Sequence, residues 1–320
     1  MVSVFVNQLG ETRFLDRIEP QWLDPASEAT VWVDFAGITP EEGRVLTDVF
    51  HFHPLAVEDA LSAVQYPKIE AYDGYLYVIL HGIDLNASEH QLATRDIDFF
   101  VGRNYLVTVH DGHSRSIAKL RDICDKHSHI LDEGPVALMH RIVDSMVDNY
   151  QPQMEKLEER ISEIEEEAYE GRNTIVRELL GIKRDLASMR RILIPQRDAV
   201  GRLARREFEQ ISVEMAYRFR DVYDHVVRLA DETIMFQDRV TGVLEVNLSA
   251  VSNRLNQIMK VLTVASTILL PMTVLTGMWG MNVKIPHLPG GDDAQFWWVT
   301  ALMGAISVVM LAIFRFLDWV

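Results

Sequence analysis

Asn256, Met259, Thr263, Ser266, Leu270, Thr273 and Gly277 are spaced by alternating threes and fours, so at 100° per residue they share one side of a helix. The rest of that surface, built from Val261, Leu262, Val264, Ile268, Leu269, Met272 and Leu275, is apolar. Amide and hydroxyl groups are expensive against lipid, so the mixed face must meet water or another helix. Ordinary helix packing also favours small and hydroxyl side chains, and that alternative stays open. If the face meets water, its chemistry is that of oxygen acceptors offered to a hydrated ion. A strongly hydrated ion gives up water reluctantly, so rings of amide and hydroxyl oxygens suit its water shell better than a tight carboxylate cage. Two spans per chain cannot enclose an aqueous path, so this reading demands an oligomer with Asn256, Thr263 and Thr273 in rings about a shared axis. Glu245, three helical turns before Asn256, points to the same axis.

A second pattern lies earlier. Asp221 and His225 stand four apart, one turn along one helix face, which is ligand spacing but also the spacing of a plain surface pair. His51, His110, His113, His127 and His129 show no ligand pattern and read as structural or surface groups. The single cysteine, Cys124, excludes an intramolecular disulfide and a thiolate zinc cluster within the chain. A net charge of -16 argues against nucleic acid and makes cations the natural ligands. Most of these carboxylates would serve only to keep a large body dispersed. The chain has no phosphate-binding glycine loop, no HExxH and no nucleophile motif, so it is not expected to be an enzyme.

The elements that must position these groups follow from composition. Residues 261–281 and 296–314 carry no charged side chain, and each is long enough to cross roughly 30 Å of hydrocarbon as a helix. Nearly all the charge precedes Lys260, which makes the first 250 or so residues a soluble body and the remainder an anchor. Residues 1–10 lack both a basic start and an apolar core long enough for export, so that body is expected in the cytoplasm. Residues 30–35, 75–80, 96–101 and 105–110 read as strands, with 102–104 a hairpin turn, and 40–50, 57–63 and 114–127 read as helices. That combination predicts an α/β domain with a mixed sheet.

After Gly134 and Pro135 the pattern is helical. Met154, Leu157, Ile161, Ile164 and Ala168 form an apolar stripe, and the other face is crowded with Glu155, Glu158, Glu159, Glu163, Glu165, Glu166, Glu167 and Glu170. A basic return segment, 172–206 after Gly171, predicts a charge-matched hairpin, against the plainer reading of a solvated acidic face. Val222, Val226, Leu229, Thr233, Phe236, Val240 and Val243 step the same way. A helix unbroken from about 213 to 278 would be ~100 Å long and must be a stalk packed by neighbours. The fold class is therefore an α+β membrane protein. Its expected parts are an α/β domain (1–130), a helical hairpin and stalk (131–253), the stalk's continuation as a first span (254–281), an external loop (282–295), a second span (296–314) and a tail (315–320).

The exit of the first span carries Gly280-Met281-Asn282, led in by Ser252-Asn-Arg-Leu-Asn-Gln-Ile-Met-Lys-Val-Leu-Thr263, Pro271, Gly277 and Trp279. In this position the tripeptide resembles the signature of the CorA family of divalent-cation channels. The resemblance implies a homopentamer in a bacterial inner membrane with both termini cytoplasmic, and Mg²⁺ as cargo, with Co²⁺ and Ni²⁺ also carried. It makes Gly280, Met281 and Asn282 the selectivity ring, whereas on residue chemistry alone Gly280 and Asn282 could simply end the helix. It places Asn256, Met259, Thr263, Ser266, Leu270 and Thr273 along the pore and Glu245 in an acidic ring. It matches residues 53–61 and 219–225 to segments that hold regulatory divalent ions between protomers, implying Asp59 opposite Asp221 of a neighbour, with Glu58, His225 and Asp144 nearby. Three departures stand out: Trp279 where the family has Tyr, Asp292 and Asp293 in place of a loop glutamate, and a tail with one basic residue, Arg315. Arg254, Lys260 and Arg315 against Lys284 still place both ends inside. A Zn²⁺ transporter of the same superfamily is the alternative, against which Met281 argues, and a non-transporting membrane sensor is the rival outside that class.

Overall fold

All four expected strands belong to one seven-stranded sheet, joined by three further strands. The computed structural model describes residues 2–8, 10–15, 17–24, 26–62, 65–83, 94–126, 130–169, 174–281, 292–317 and 319. The strands are β1 (Val2–Gln8), β2 (Glu11–Leu15), β3 (Thr30–Ala36), β4 (Lys68–Tyr72), β5 (Tyr75–Ile83), β6 (Thr94–Val101) and β7 (Tyr105–His110). Their order across the sheet is β2-β1-β3-β7-β6-β5-β4. Neighbours run antiparallel except β3 and β7, which are parallel, so the sheet is mixed as its composition predicts. At the β6–β7 turn the Gly102 N–H donates to the Tyr105 carbonyl at 2.9 Å. A Cβ at Gly102 would stand 2.3 Å from the Tyr105 ring, which is why that turn takes glycine.

Helices α1 (Pro40–Asp48) and α2 (Pro54–Leu61) supply Leu46, Ala56, Val57 and Ala60 to a core with Val31, Val33, Tyr77, Phe100 and Val107 from the sheet. The opposite face is covered by α4 (Pro135–Asp148) and by α6 (Thr174–Ala204), with α3 (Arg115–Lys126) packed on α4. Strands covered on both sides read as nearly continuous apolar runs, and Leu76 to Leu80 of β5 is such a run, all fully buried.

The chain divides into two compact units, one comprising Met1–Glu166 with Thr174–Leu244 and the other Glu167–Asn173 with Glu245–Val320. In the first, α5 (Gln151–Ala168) and α6 form the expected hairpin, and Met154, Ile161, Ile164 and Ala168 of the stripe are buried. Val222, Val226, Leu229, Thr233, Phe236, Val240 and Val243 of α7 (Val213–Trp279) are buried too. The hairpin's charge matching differs from the expectation. Arg160 of α5 is bidentate to Glu178 of α6, at 2.6 and 2.8 Å, while α5's Glu165 accepts from Arg239 of α7 at 2.8 Å. The glutamate face thus engages α7 at that point rather than the basic return helix. Gly171 and Glu170 lie outside the described residues.

Candidate functional site

The second unit contains the end of α7 and α8 (Asp292–Phe316), both long and apolar enough to cross a membrane. On α7 the covered positions are Val264, Ile268, Pro271, Met272, Leu275 and Trp279, again stepping by threes and fours. This stripe meets α8, where Gln295, Val299, Met303, Ile306, Ser307, Met310 and Phe314 are covered in turn and the Ser307 hydroxyl lies 3.9 Å from Met272 Sδ. Asn256, Met259, Thr263, Ser266, Leu270, Thr273 and Gly277 occupy the other side of α7, and all are exposed. Packing on α8 therefore does not explain the polar face. Water or another copy of the chain remains.

The hydroxyls on this helix are oriented by their own backbone. Thr273 Oγ1 donates to the Leu269 carbonyl at 2.9 Å and Thr276 Oγ1 to the Met272 carbonyl at 3.0 Å. Having spent its proton on the helix, each oxygen is left with lone pairs to accept from a hydrogen-bond donor. Toward the Lys260 end, Asn253, Asn256, Gln257, Met259, Lys260 and Thr263 line an open groove together with Trp319, which stacks on Phe314. Glu245, earlier on α7, is exposed.

At the far end the Gly280 N–H donates to the Thr276 carbonyl at 2.9 Å and closes the helix. Gly280 is not left-handed, and a Cβ there would stand 3.1 Å from the Thr276 oxygen, a tight but not forbidding approach. Met281 is exposed. Asn282 and Lys284 lie outside the described residues, as do the side chains of Asp292 and Asp293.

In the first unit the expected ligands fall into two groups. Asp144 of α4 lies in the field of Asp221 and His225 of α7: burial pushes its carboxyl above the usual range, Asp148 and Asp221 add to that, and His140 and His225 oppose it. Asp221 is exposed and His225 half-buried. On α2, Glu58 is exposed, while half-buried Asp59 accepts from Lys68 Nζ at 2.6 Å. Among the described residues no three acidic, histidine or cysteine side chains of one chain come close enough to hold a metal ion.

A family model described as CorA-like Mg²⁺ transporter protein matches residues 27–315. The chain belongs to the CorA-like Mg²⁺ transporter family. That makes it a divalent-cation transporter and not an enzyme. The cobalt/magnesium transport protein CorA of Thermotoga maritima is 31% identical, over 92% of this chain and 84% of its own. YfjQ of Bacillus subtilis is 33% identical, over 97% and 96%. The solved structure of the CorA magnesium transporter from Methanocaldococcus jannaschii aligns with a TM-score of 0.84 at 22% identity, covering 100% of this chain and 99% of the other, which shows that the two share a fold.

One set of contacts at Asp59 is not foreseen from the sequence. Lys68 Nζ bridges Asp59 and Glu70, 2.9 Å from Glu70 Oε1, and the Tyr72 hydroxyl donates to Glu70 Oε2 at 2.9 Å. Burial lowers the proton affinity of the Lys68 ammonium, but the hydrogen bonds and charges of Asp59 and Glu70 outweigh burial and leave its pKa raised. The available signal was Lys68-Ile69-Glu70, two opposite charges on one strand face with a buried isoleucine on the other. The histidines treated as structural include two that behave so. His110 Nδ1 accepts from the Gly112 N–H at 3.0 Å, and His51 lies against the Thr47 carbonyl at 3.2 Å. His127 and His129 lie outside the described residues.

Proposed function

We propose that the chain is a Mg²⁺ uptake channel that also passes Co²⁺ and Ni²⁺, assembled as a homopentamer in a bacterial inner membrane with both termini in the cytoplasm. The observation that carries this is the exposed face of α7 running from Asn256 to Gly277, opposite the stripe covered by α8. Five copies would turn that face inward as successive rings of amide, thioether, hydroxyl and aliphatic side chains. The acceptor oxygens would bind the ion's first-shell waters, so the ion need not be stripped to pass. Met259 and Leu270 offer no such acceptor and would narrow the path where a closed state can dewet it. Gly280, Met281 and Asn282 would form the outer ring, the Asn282 carbonyl ordering the arriving ion's waters, and Glu245 would concentrate cations at the inner mouth. Entry would follow the inside-negative potential, worth ~2.3 kcal/mol per charge per 100 mV.

Regulation would come from cytoplasmic divalent ions held between protomers by Asp59 and Asp221, with Glu58, Asp144 and His225 alongside. Two carboxylates brought together repel, and a bound divalent ion removes that repulsion and favours the closed arrangement.

The test uses near-isosteric changes on the polar face. Thr263→Val combined with Thr273→Val removes two rings of oxygen while keeping side-chain volume. Mg²⁺ flux into proteoliposomes should fall by tenfold or more in order of magnitude while the oligomer in detergent is unchanged, since the oxygens act on the hydrated ion and not on assembly. Full flux would sink the pore reading of this face.

A further inference from the structure

We propose that Lys68 is a tethered cation that occupies Asp59 until a divalent ion displaces it, so that this lysine sets the concentration at which cytoplasmic divalent ions close the channel. The inference rests on the regulatory reading of Asp59 given above. Its own observation is the bridge of Lys68 Nζ to Asp59 Oδ2 at 2.6 Å and to Glu70 Oε1 at 2.9 Å.

The bridge is built from two elements and braced by a third. Asp59 comes from α2, and Lys68 and Glu70 from β4, whose register opposes Lys68 to Ile79 of β5. Arg202 of α6 donates to the Ile69 carbonyl at 2.9 Å and fixes the strand between the two charged residues. The ammonium also stands 5.6 Å from the centre of the Tyr77 ring. Lys68 and Asp59 remain about a third and a quarter exposed, at 32% and 26%, so solvent reaches the pair and its worth as a structural brace is small. Its effect on an arriving cation is larger. An ammonium on one carboxylate oxygen repels a divalent ion approaching the same carboxylate and withholds part of its charge.

Glu70 makes the exchange reversible. It is held by Tyr72 as well as by Lys68. When an ion takes Asp59, the ammonium can pivot onto Glu70 without entering solvent as a free charge. When the ion leaves, the lysine returns and neutralises Asp59. The site then alternates between an internal monovalent cation and an external divalent one.

The experiment titrates Mg²⁺ alone against the full-length protein in lipid nanodiscs and reads the midpoint of protection from limited proteolysis. Lys68→Met should lower that midpoint by about tenfold, the scale of one close charge interaction at a partly exposed site. Glu70→Gln should raise it, because the ammonium then has Asp59 as its remaining carboxylate partner in the bridge. The double variant Lys68→Met/Glu70→Gln restores the wild-type net charge but removes the tether, so its midpoint should stay below wild type. A double variant that returns to the wild-type midpoint would show a field effect without a tether and overturn the proposal. Should Lys68→Met fail to assemble, Glu70→Gln decides alone, and a midpoint that does not rise overturns it. Asp59→Ala separates the two readings. Protection abolished in that variant, with unmoved midpoints in the others, leaves the regulatory site standing and removes the tether, whereas protection unchanged in Asp59→Ala removes both.

Discussion

Asp98 of β6 is an ionisable group in the interior of the sheet, 6% exposed, and the Tyr77 hydroxyl donates to its Oδ1. Burial pushes its carboxyl up to about 7, the hydrogen bond from Tyr77 opposing, the negative charges of Asp96 and Asp59 adding, and Lys68 opposing. In an unfolded chain the same group would titrate at about 3.9. Between those two values the folded protein binds the extra proton, so the contribution of Asp98 to stability is fully present below about pH 4 and is lost as pH rises through about 7. Asp98→Asn keeps the shape and removes the titration. The thermal midpoint of the wild-type chain in detergent should drop between about pH 5 and pH 8 by more than that of Asp98→Asn, because each tenfold difference in proton affinity between the folded and unfolded chain is worth about 1.4 kcal/mol. Parallel pH profiles for the two proteins would place the ionised carboxylate at no cost and refute the assignment. Alternation in Asp96-Ile-Asp-Phe-Phe-Val101 puts Asp98 on the same strand face as Phe100, so its burial was readable from sequence. Its partner was not. Tyr77 lies on the neighbouring strand, and only the β5–β6 register, which pairs Tyr77 with Phe100, brings the two together.

Elements were legible where burial stamps a period on them. The four strands read from sequence lie in the sheet's middle and are packed on both faces, which forces β-branched and aromatic residues. The edge strands β2 and β4 escaped because one neighbour and little burial leave a weak pattern: Ile69 is the one buried residue of β4, and β2 has none. β1 escaped as well although Ser3 to Asn7 are buried, so burial alone did not make a strand legible. The hairpin of α5 and α6 was legible as apolar periodicity, but the partner of its acidic face was not, because charge composition does not say which helix lies alongside. This ranks the forces that attach α5. Ile161 is fully buried, so Ile161→Ala should cost about 2–5 kcal/mol. Arg160 and Glu178 are each 33% exposed, and Arg160→Ala should cost about 1 kcal/mol or less. Thermal unfolding of the full chain should show the larger drop for Ile161→Ala. The reverse order would mean that the hairpin is held by its ions.

At the scale of the whole molecule, the polar face of α7 was legible and the Lys68 bridge at Asp59 was not, for one physical reason. A face of one helix is a local property that a 100° period records, whereas Asp59, Lys68 and Glu70 meet only through the packing of α2 on β4. What the path should select follows from its donors. In the proposed rings Asn256, Thr263, Thr273 and Asn282 would supply oxygen acceptors, with no thiolate or imidazole among them to reward a softer metal. Discrimination must then rest on charge and on the hydrated ion, which Mg²⁺, Co²⁺ and Ni²⁺ share closely enough to permeate together. On the proposed reading the driving force is the membrane potential acting on two charges, about 4.6 kcal/mol per 100 mV, and none of Asn256, Met259, Thr263, Ser266, Leu270 and Thr273 is ionisable and able to relay a proton. Proteoliposomes with the potential clamped and the pH gradient collapsed should therefore take up Mg²⁺, Co²⁺ and Ni²⁺ at undiminished rates. Zn²⁺ uptake that requires the gradient, together with negligible Mg²⁺ uptake, would overturn selection by hydration and assign the path to a zinc transporter built on the same fold.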